Sequence, residues 1–499
     1  MNRSTSPLDQ WRHREVLAEA MIPLIGHLHR ENGVVTSIYG RTLINQSVIG
    51  VIKAHRYARH ATGEELCLDD SLRLLQALIR LRLGPISIDI ARLRAAYEHT
   101  AAGRSLTEFL TDELAEHVGG EGARTTNSTD VVLYGFGRIG RLLARILIER
   151  ASGLTEPRLR AVVVRKGSAD DLTKRASLLR RDSVHGSFAG TISVDQENDR
   201  ILANGTSIQL IYSADPATVD YTAFGIDNAV VIDTTGRWRD EQGLSQHLRS
   251  KGVSRVLLTA PGKGNLPNIV HGINHASISD DDLIVTAASC TTNAITPVLK
   301  AINDRYGIEH GHVETVHSFT NDQNLIDNFH AGERRGRSAA LNMVLTETGA
   351  AQAVAKALPE LAGLLTGNAI RVPTPDVSMA ILNLTLRTEV GREQLNSYLR
   401  SVSVDSELYR QVDYIESPEV VSTDFVGSRR AGVIDGLATI AAGAHVVVYV
   451  WYDNEFGYSY QVIRVLEELT HSRASIYPEP AKHPVITPDL LAPVPTAGA

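Results

Sequence analysis

Val131-Val132-Leu133-Tyr134, then Gly135-Phe136-Gly137-Arg138-Ile139-Gly140, then Arg141 to Arg150, read as an apolar strand, a glycine turn and a helix in immediate succession. The first glycine permits the tight turn, the second lets a diphosphate approach the backbone, and the third lets helix and strand pack closely. A diphosphate in that turn meets the helix N-terminus, where unpaired amides and the helix dipole favour negative charge. A bare GxGxxG also occurs in turns that merely pack; between a strand and a helix it points to dinucleotide binding. Gly135, Phe136, Gly137, Arg138, Ile139 and Gly140 are therefore the expected cofactor contacts, carried by a Rossmann α/β domain.

The next strand, Leu159 to Val164, ends in Arg165-Lys166. A carboxylate normally stands there, bonding the ribose 2′-hydroxyl of NAD and repelling the 2′-phosphate of NADP, whereas a cation can pair with that phosphate. Arg165 and Lys166 thus favour NADP over NAD, the alternative being two solvated charges at a strand end.

Upstream, the polar run 119–129 reads as a linker. Residues 1–118 read as a helical extension, in which Asp69-Asp70-Ser71 cap a helix whose Leu72, Leu75, Leu78 and Ile79 share one face. Cys67 precedes that cap as an idle or packed thiol. At the other end, residues 471–499 hold Pro478, Pro480, Pro484, Pro488, Pro493 and Pro495 and read as an extended proline-rich tail.

The second cysteine sits in Ala288-Ser289-Cys290-Thr291-Thr292-Asn293, after the strand-like Ile284 to Ala287 and at the start of a helix. A helix N-terminus favours thiolate over thiol, so Cys290 is a candidate nucleophile. Taken alone it is equally a buried small hydrophobe. His317, in the β-rich stretch Val313 to Phe319, is the candidate base.

The chain of 499 residues has 43% hydrophobic and 21% charged residues, which is globular and implies about three domains. Its formal charge of −7 gives no general attraction to nucleic acid or an anionic membrane. No membrane span or signal-peptide core is evident. Two cysteines cannot build a disulfide framework or an all-protein zinc site, which excludes those classes, predicts no metal and favours a reducing, cytoplasmic setting.

From about Asp130 to Leu469 the chain resembles phosphorylating glyceraldehyde-3-phosphate dehydrogenase. The resemblance rests on YGFGRIGR at Tyr134, RDSVHG at Arg181, ASCTTN at Ala288, TVHSFTNDQ at Thr315, RVPTPDVS at Arg371 and WYDNEFGYS at Trp451. It implies reversible phosphorylating oxidation of glyceraldehyde 3-phosphate, the reaction of glycolysis and gluconeogenesis, in a homotetramer. Cys290 would form a thioester and His317 would lower its pKa and move protons. Thr320, Asp322 and Arg371 would surround the substrate phosphate; Ser289, Thr291, Arg335, Thr348 and Gly349 would surround inorganic phosphate. Thr235, Gly236, Thr259, Asn454 and Tyr458 would border the cofactor.

The resemblance also implies a Rossmann domain over 130–289, an α+β catalytic domain over 290–453, and a helix over 454–470 that returns to the first domain through Val462, Val465, Leu466 and Leu469. Several positions depart from the family pattern. Tyr134 replaces an Asn, Phe329 stands where NAD-using members have Pro, and Glu347 sets a carboxylate beside the phosphate loop. Trp238 stands where an aromatic residue covers the adenine, or it packs structurally. Glu347 leaves erythrose 4-phosphate as an alternative substrate. A binding protein built on the same fold is the other alternative, and intact Cys290, His317 and Arg371 argue against it.

Overall fold

The computed structural model describes residues 6–120, 128–151, 156–346 and 348–482. Linker residues 121–127, Glu347 and the tail beyond 482 lie outside the described residues, so the expectations placed on them have no structural counterpart here.

The glycine turn belongs to an eight-stranded sheet ordered Ile284–Thr286, Val253–Leu258, Ala229–Asp233, Asp130–Tyr134, Arg158–Val164, Thr206–Tyr212, Arg200–Ala203, Ile192–Asp195. The first six run parallel, and the last two add an antiparallel edge. Consecutive crossovers leave Asp130–Tyr134 in opposite directions, so a crevice opens at its carboxyl end beside Ala229–Asp233, where open α/β sheets bind ligands. Val131, Leu133 and Val162 are buried under the helix Arg138–Arg150, while Val132, Tyr134 and Val163 pack on the other face. That alternation is the two-residue period of a strand covered on both sides.

A second sheet follows, ordered Val344–Thr346, Leu365–Val372, Ile308–Ser318, Ser378–Leu386, His445–Tyr452, Gly432–Asp435, Val412–Ile415. The helix Cys290–Tyr306 covers it with Ile295, Val298, Leu299 and Ile302, all fully buried. Cys290, at its start, touches the apolar cores of both sheets. The helix Phe456–Leu469 turns back onto the first sheet, placing Val462, Val465, Leu466 and Leu469 in that core.

The front of the chain departs from an all-helical reading. Helices Pro7–Asn32, Val48–Tyr57, Leu68–Arg80, Ile90–Thr100 and Leu106–Glu113 surround a four-stranded sheet ordered Arg41–Thr42, Val34–Ile38, Ile86–Asp89, Ile476–Tyr477. The short runs Val34-Val35-Thr36-Ser37-Ile38 and Ile86-Ser87-Ile88 are rich in β-branched residues but too brief to announce a sheet between longer helical patterns. The fourth strand comes from the tail: Ile476 pairs with Ser87 and Tyr477 with Ile88, in parallel. The proline-rich end therefore closes the sheet of the front domain. The helix Leu68–Arg80 also starts earlier than expected, with Cys67 as an N-cap that makes no side-chain bond and Asp69 and Asp70 inside the first turn. Their carboxylates still face the positive end of the helix dipole.

Candidate active site

Three glycines shape the cofactor crevice differently. Gly135 has φ +104, and a Cβ there would meet Thr234 Oγ1 at 2.7 Å. At Gly140 a Cβ would meet the Gly135 carbonyl oxygen at 2.6 Å, so the helix lies against the strand only because no side chain intervenes. A Cβ on Gly137 would meet nothing within 4 Å. Gly137 caps the helix Arg138–Arg150 without a side-chain bond, leaving the first-turn amides facing open space. A tight turn, an open approach and a close contact together suit a dinucleotide diphosphate.

The other expected cofactor residues separate into two groups. Thr235 bonds Asp233 through its amide and hydroxyl, both at 2.7 Å, and the Thr259 hydroxyl donates to the Asp233 carbonyl at 3.0 Å. With Gly236, at φ +63, they rim the crevice. Arg165 and Lys166 are exposed at the end of their strand, with the Lys166 ammonium 5.0 Å from the centre of the Tyr212 ring. Phe136, Ile139 and Arg138 turn their side chains elsewhere. Phe136 is buried and Ile139 packs on the same core. Arg138 bonds Glu455 at 2.9 Å and Asp182 at 2.6 Å, holding the glycine turn to the chain just beyond Asn454. Tyr134 and Trp238 meet edge to face with ring centres 6.0 Å apart, and Tyr134 packs likewise on His247 at 4.7 Å. Trp238 thus packs on Tyr134, and Tyr134 fills space beside the buried Asp233–His247 pair, whose polar atoms lie 3.0 Å apart.

The thiol sits on a constrained corner. Ala288 has φ +52, unusual for a residue with a Cβ, and its carbonyl accepts from the Tyr458 hydroxyl at 3.0 Å. Ser289 is the N-cap, accepting from the Thr292 amide at 3.0 Å. The Asn293 side chain donates to the carbonyls of Ala287 and Ser289 at 2.8 and 2.9 Å, so the entire ASCTTN stretch is tied to itself. Cys290 Sγ lies 3.6 Å from His317 Nε2.

His317 and Arg371 are register partners on adjacent parallel strands, so they stand side by side. His317 Nδ1 is 2.7 Å from the Ser318 carbonyl oxygen and 2.8 Å from Arg371 Nη1, which also donates to that carbonyl at 3.1 Å. With the proton on Nδ1, donated to Ser318, the Nε2 lone pair faces sulfur; the other tautomer accepts from Arg371 and turns an N–H toward sulfur. Burial pushes the Cys290 thiol up, opposed by Arg371, and pushes His317 down to about 3, reinforced by Arg371. Both directions favour a neutral thiol and a neutral imidazole, opposite to the expected lowering of the thiol by its histidine, because desolvation of a charge outweighs the helix terminus here. Arg371 Nε is buried with no hydrogen-bond partner, and no carboxylate among the described residues pairs with the guanidinium.

The remaining phosphate candidates make local bonds of their own. Thr320 donates to Asp322, and Arg335 Nη1 bonds Asp322 at 2.6 Å, joining residues expected at two different phosphates. Thr291 bonds the buried Tyr452 hydroxyl at 2.9 Å. Thr348 accepts from the Ala350 amide at 3.2 Å, and Gly349 is the N-cap of the helix Ala350–Ala357. Asn454 accepts from the Ser378 hydroxyl at 2.8 Å.

Sequence reading passed over Ser378, Asp376, Asp453 and His185, although all lie in the quoted motifs. His185 Nε2 is 3.2 Å from both Asp376 and Asp453, joining the two sheets' domains through buried charges. Those hydrogen bonds overcome desolvation and raise His185 to about 10. Its folded-state value exceeds the unfolded one, so its stabilisation is full below about pH 6.5 and fades as pH rises through about 10. Urea unfolding should show His185→Gln losing most against the parent near pH 6, with the two converging above pH 10; a constant gap would contradict this.

Residues 129–241 match the glyceraldehyde 3-phosphate dehydrogenase NAD binding domain, and residues 289–454 match the C-terminal domain of the same family. The chain belongs to the glyceraldehyde-3-phosphate dehydrogenase family. A glyceraldehyde-3-phosphate dehydrogenase of Zymomonas mobilis is 37% identical over 335 residues, 67% of this chain and 96% of the relative. A chloroplastic glyceraldehyde-3-phosphate dehydrogenase of Arabidopsis thaliana is 36% identical, over 72% of this chain and 88% of its own length. A glyceraldehyde-3-phosphate dehydrogenase-like protein of Pseudomonas aeruginosa is 62% identical over 92% of this chain and its whole length, so that match reaches into the front domain. This family member is an oxidoreductase with an NAD-binding domain and an added N-terminal extension. Among its described residues no helix is long and apolar enough to cross a membrane.

Proposed function

We propose that the protein catalyses the reversible phosphorylating oxidation of glyceraldehyde 3-phosphate with NADP preferred, as a cytoplasmic homotetramer. The observation that carries this reading is Cys290 Sγ facing His317 Nε2 at 3.6 Å beside Arg371, which has no carboxylate partner among the described residues. A nicotinamide bound in the glycine crevice supplies the hydride acceptor that turns a thiohemiacetal into a thioester, which inorganic phosphate cleaves to an acyl phosphate.

The chain's own residues do the rest. Sγ bonds to the aldehyde carbon while its proton passes through His317 Nε2 to the carbonyl oxygen. Nε2 later takes that proton back from the thiohemiacetal hydroxyl. The Cys290 amide, at the helix start, and His317 hold the oxygen as charge develops on it. Arg371 binds a phosphate dianion, which cancels its repulsion of an imidazolium and lets His317 accept a proton more readily. Asn454 offers its amide N–H groups to the carboxamide, and Tyr458 steadies the Ala288 corner. Exposed Leu325, Ile326, Phe329, Leu341 and Met343 form an apolar stretch that supports self-association, which light scattering checks.

Lys166 and Arg165 support NADP, since a charge-assisted bond to a 2′-phosphate stabilises by about 1.5–3 kcal/mol. Lys166→Asp is therefore expected to lower kcat/KM for NADP by roughly 10- to 100-fold while sparing NAD. Steady-state rates with each nicotinamide, on glyceraldehyde 3-phosphate and erythrose 4-phosphate, test cofactor and substrate together. Parent enzyme that prefers NAD by a wide margin would sink the assignment of these two cations.

A further inference from the structure

A cavity of about 700 Å³ lies between the front domain and the dehydrogenase body, away from Cys290, His317 and Arg371. Its walls come from the helix Val48–Tyr57 and neighbouring front-domain residues, from the end of the helix Arg138–Arg150, from the catalytic domain, and from the helix Phe456–Leu469. The glycine turn is at the opposite end of Arg138–Arg150, roughly 20 Å away along a 13-residue helix. The cavity is thus a separate place from the cofactor diphosphate.

Nine Lys and Arg side chains line it, against four Asp and Glu. The acids are largely engaged. Asp413 accepts from Arg41 at 3.1 Å and Tyr57 at 2.8 Å, Glu149 accepts from Arg429 at 2.7 Å, and Glu467 pairs with Arg150. Among the described residues no carboxylate pairs with Lys53, Arg59, Arg410 or Arg464. Arg464 is only 8% exposed, yet its donors reach neutral acceptors: Gln461 Oε1 at 2.8 Å and the Arg429 carbonyl at 3.4 Å. Arg410 likewise bonds the Tyr409 hydroxyl at 3.0 Å and Ser87 Oγ at 3.1 Å. Burial, with Arg430 and Arg410 nearby, pulls Arg464 down to about 9, and Glu467, itself paired with Arg150, offsets this only in part. A buried cation without a counter-charge is costly, and several facing one cavity repel each other, so this arrangement is completed by an anion from outside.

We propose that the cavity binds a small molecule carrying two or more phosphate groups, gripped jointly by the front domain and the body. One phosphate brings about two negative charges, fewer than the five-charge excess of nine over four. The unpaired cations also stand on separate walls: Lys53 and Arg59 on the front domain, Arg410 and Arg464 on the body. Guanidinium groups suit phosphate oxygens, and the volume is that of a metabolite site. Ligand bound there would press on the helix that carries Tyr458, so occupancy offers a route to the Ala288–Cys290 corner.

Calorimetry on the full chain tests this with pyrophosphate, ADP and fructose 1,6-bisphosphate. It is run on Arg371→Gln protein saturated with NADP, which removes binding at the Arg371 phosphate site and in the cofactor crevice, and the Lys53→Gln comparison separates the cavity from the second phosphate site. At least one probe is expected to bind, and Lys53→Gln and Arg410→Gln should each weaken that binding roughly tenfold. Equal binding of all three means the phosphates alone are read; preference for ADP or for the sugar bisphosphate names the source. Lys53 is exposed on a helix, so its variant stays interpretable if Arg410→Gln folds poorly. Absence of binding by every probe, or binding unchanged by Lys53→Gln, overturns the proposal.

Discussion

Cys290→Ser is expected to lower kcat/KM for the phosphorylated aldehyde by about 10³-fold or more, with the fold and nicotinamide binding unchanged. Serine fits the same corner: the Ala288 turn, the Ser289 cap and the Asn293 clamp do not involve sulfur. The loss is therefore chemical. A hydroxyl is far less acidic than a thiol, and an imidazole whose pKa burial and Arg371 already hold near 3 is too weak a base to activate it. Rates at saturating substrate, with circular dichroism on the same samples, decide the point. Retention of activity within tenfold of the parent would remove the covalent route.

His317→Asn is expected to lower kcat by about 10²- to 10⁴-fold with little change in KM, because general acid–base catalysis contributes on that scale. Asparagine keeps a polar group near Ser318 but moves no proton. The pH profiles add a signature that a structural role would not produce. In the unliganded site His317 is depressed by burial and then by Arg371. A bound phosphate offsets the arginine, so His317 should titrate higher with substrate present. The acid limb of kcat, which reports the complex, is thus expected at higher pH than the limb of kcat/KM, which reports the free enzyme. Coincident limbs would mean that Arg371 does not tune His317.

Much of the architecture is legible locally. A glycine turn between strand and helix announces a dinucleotide crevice because each glycine answers a contact made within a few residues of itself or on the next strand. The helix that opens at Cys290 is equally local, since its cap and clamp come from Ser289 and Asn293. The front sheet was less legible. Its strands are a few residues long, and its fourth member arrives from Ile476–Tyr477, hundreds of positions away. Arg335 and Asp322 illustrate the same limit at the site: motif matching separated them, and the chain pairs them at 2.6 Å.

By itself the amino-acid sequence determined the family, the cofactor class and the residue types available for chemistry, because these follow from short motifs whose geometry the backbone imposes within a turn or two. Tertiary structure alone decided that His317 meets Cys290, that Arg371 stands beside it by strand register, and that burial drives the pair toward neutrality. It alone assembled the cationic cavity from four parts of the chain. The physical reason is common to all of these: electrostatic character depends on which groups share a low-dielectric space, and only folding brings distant groups into the same one.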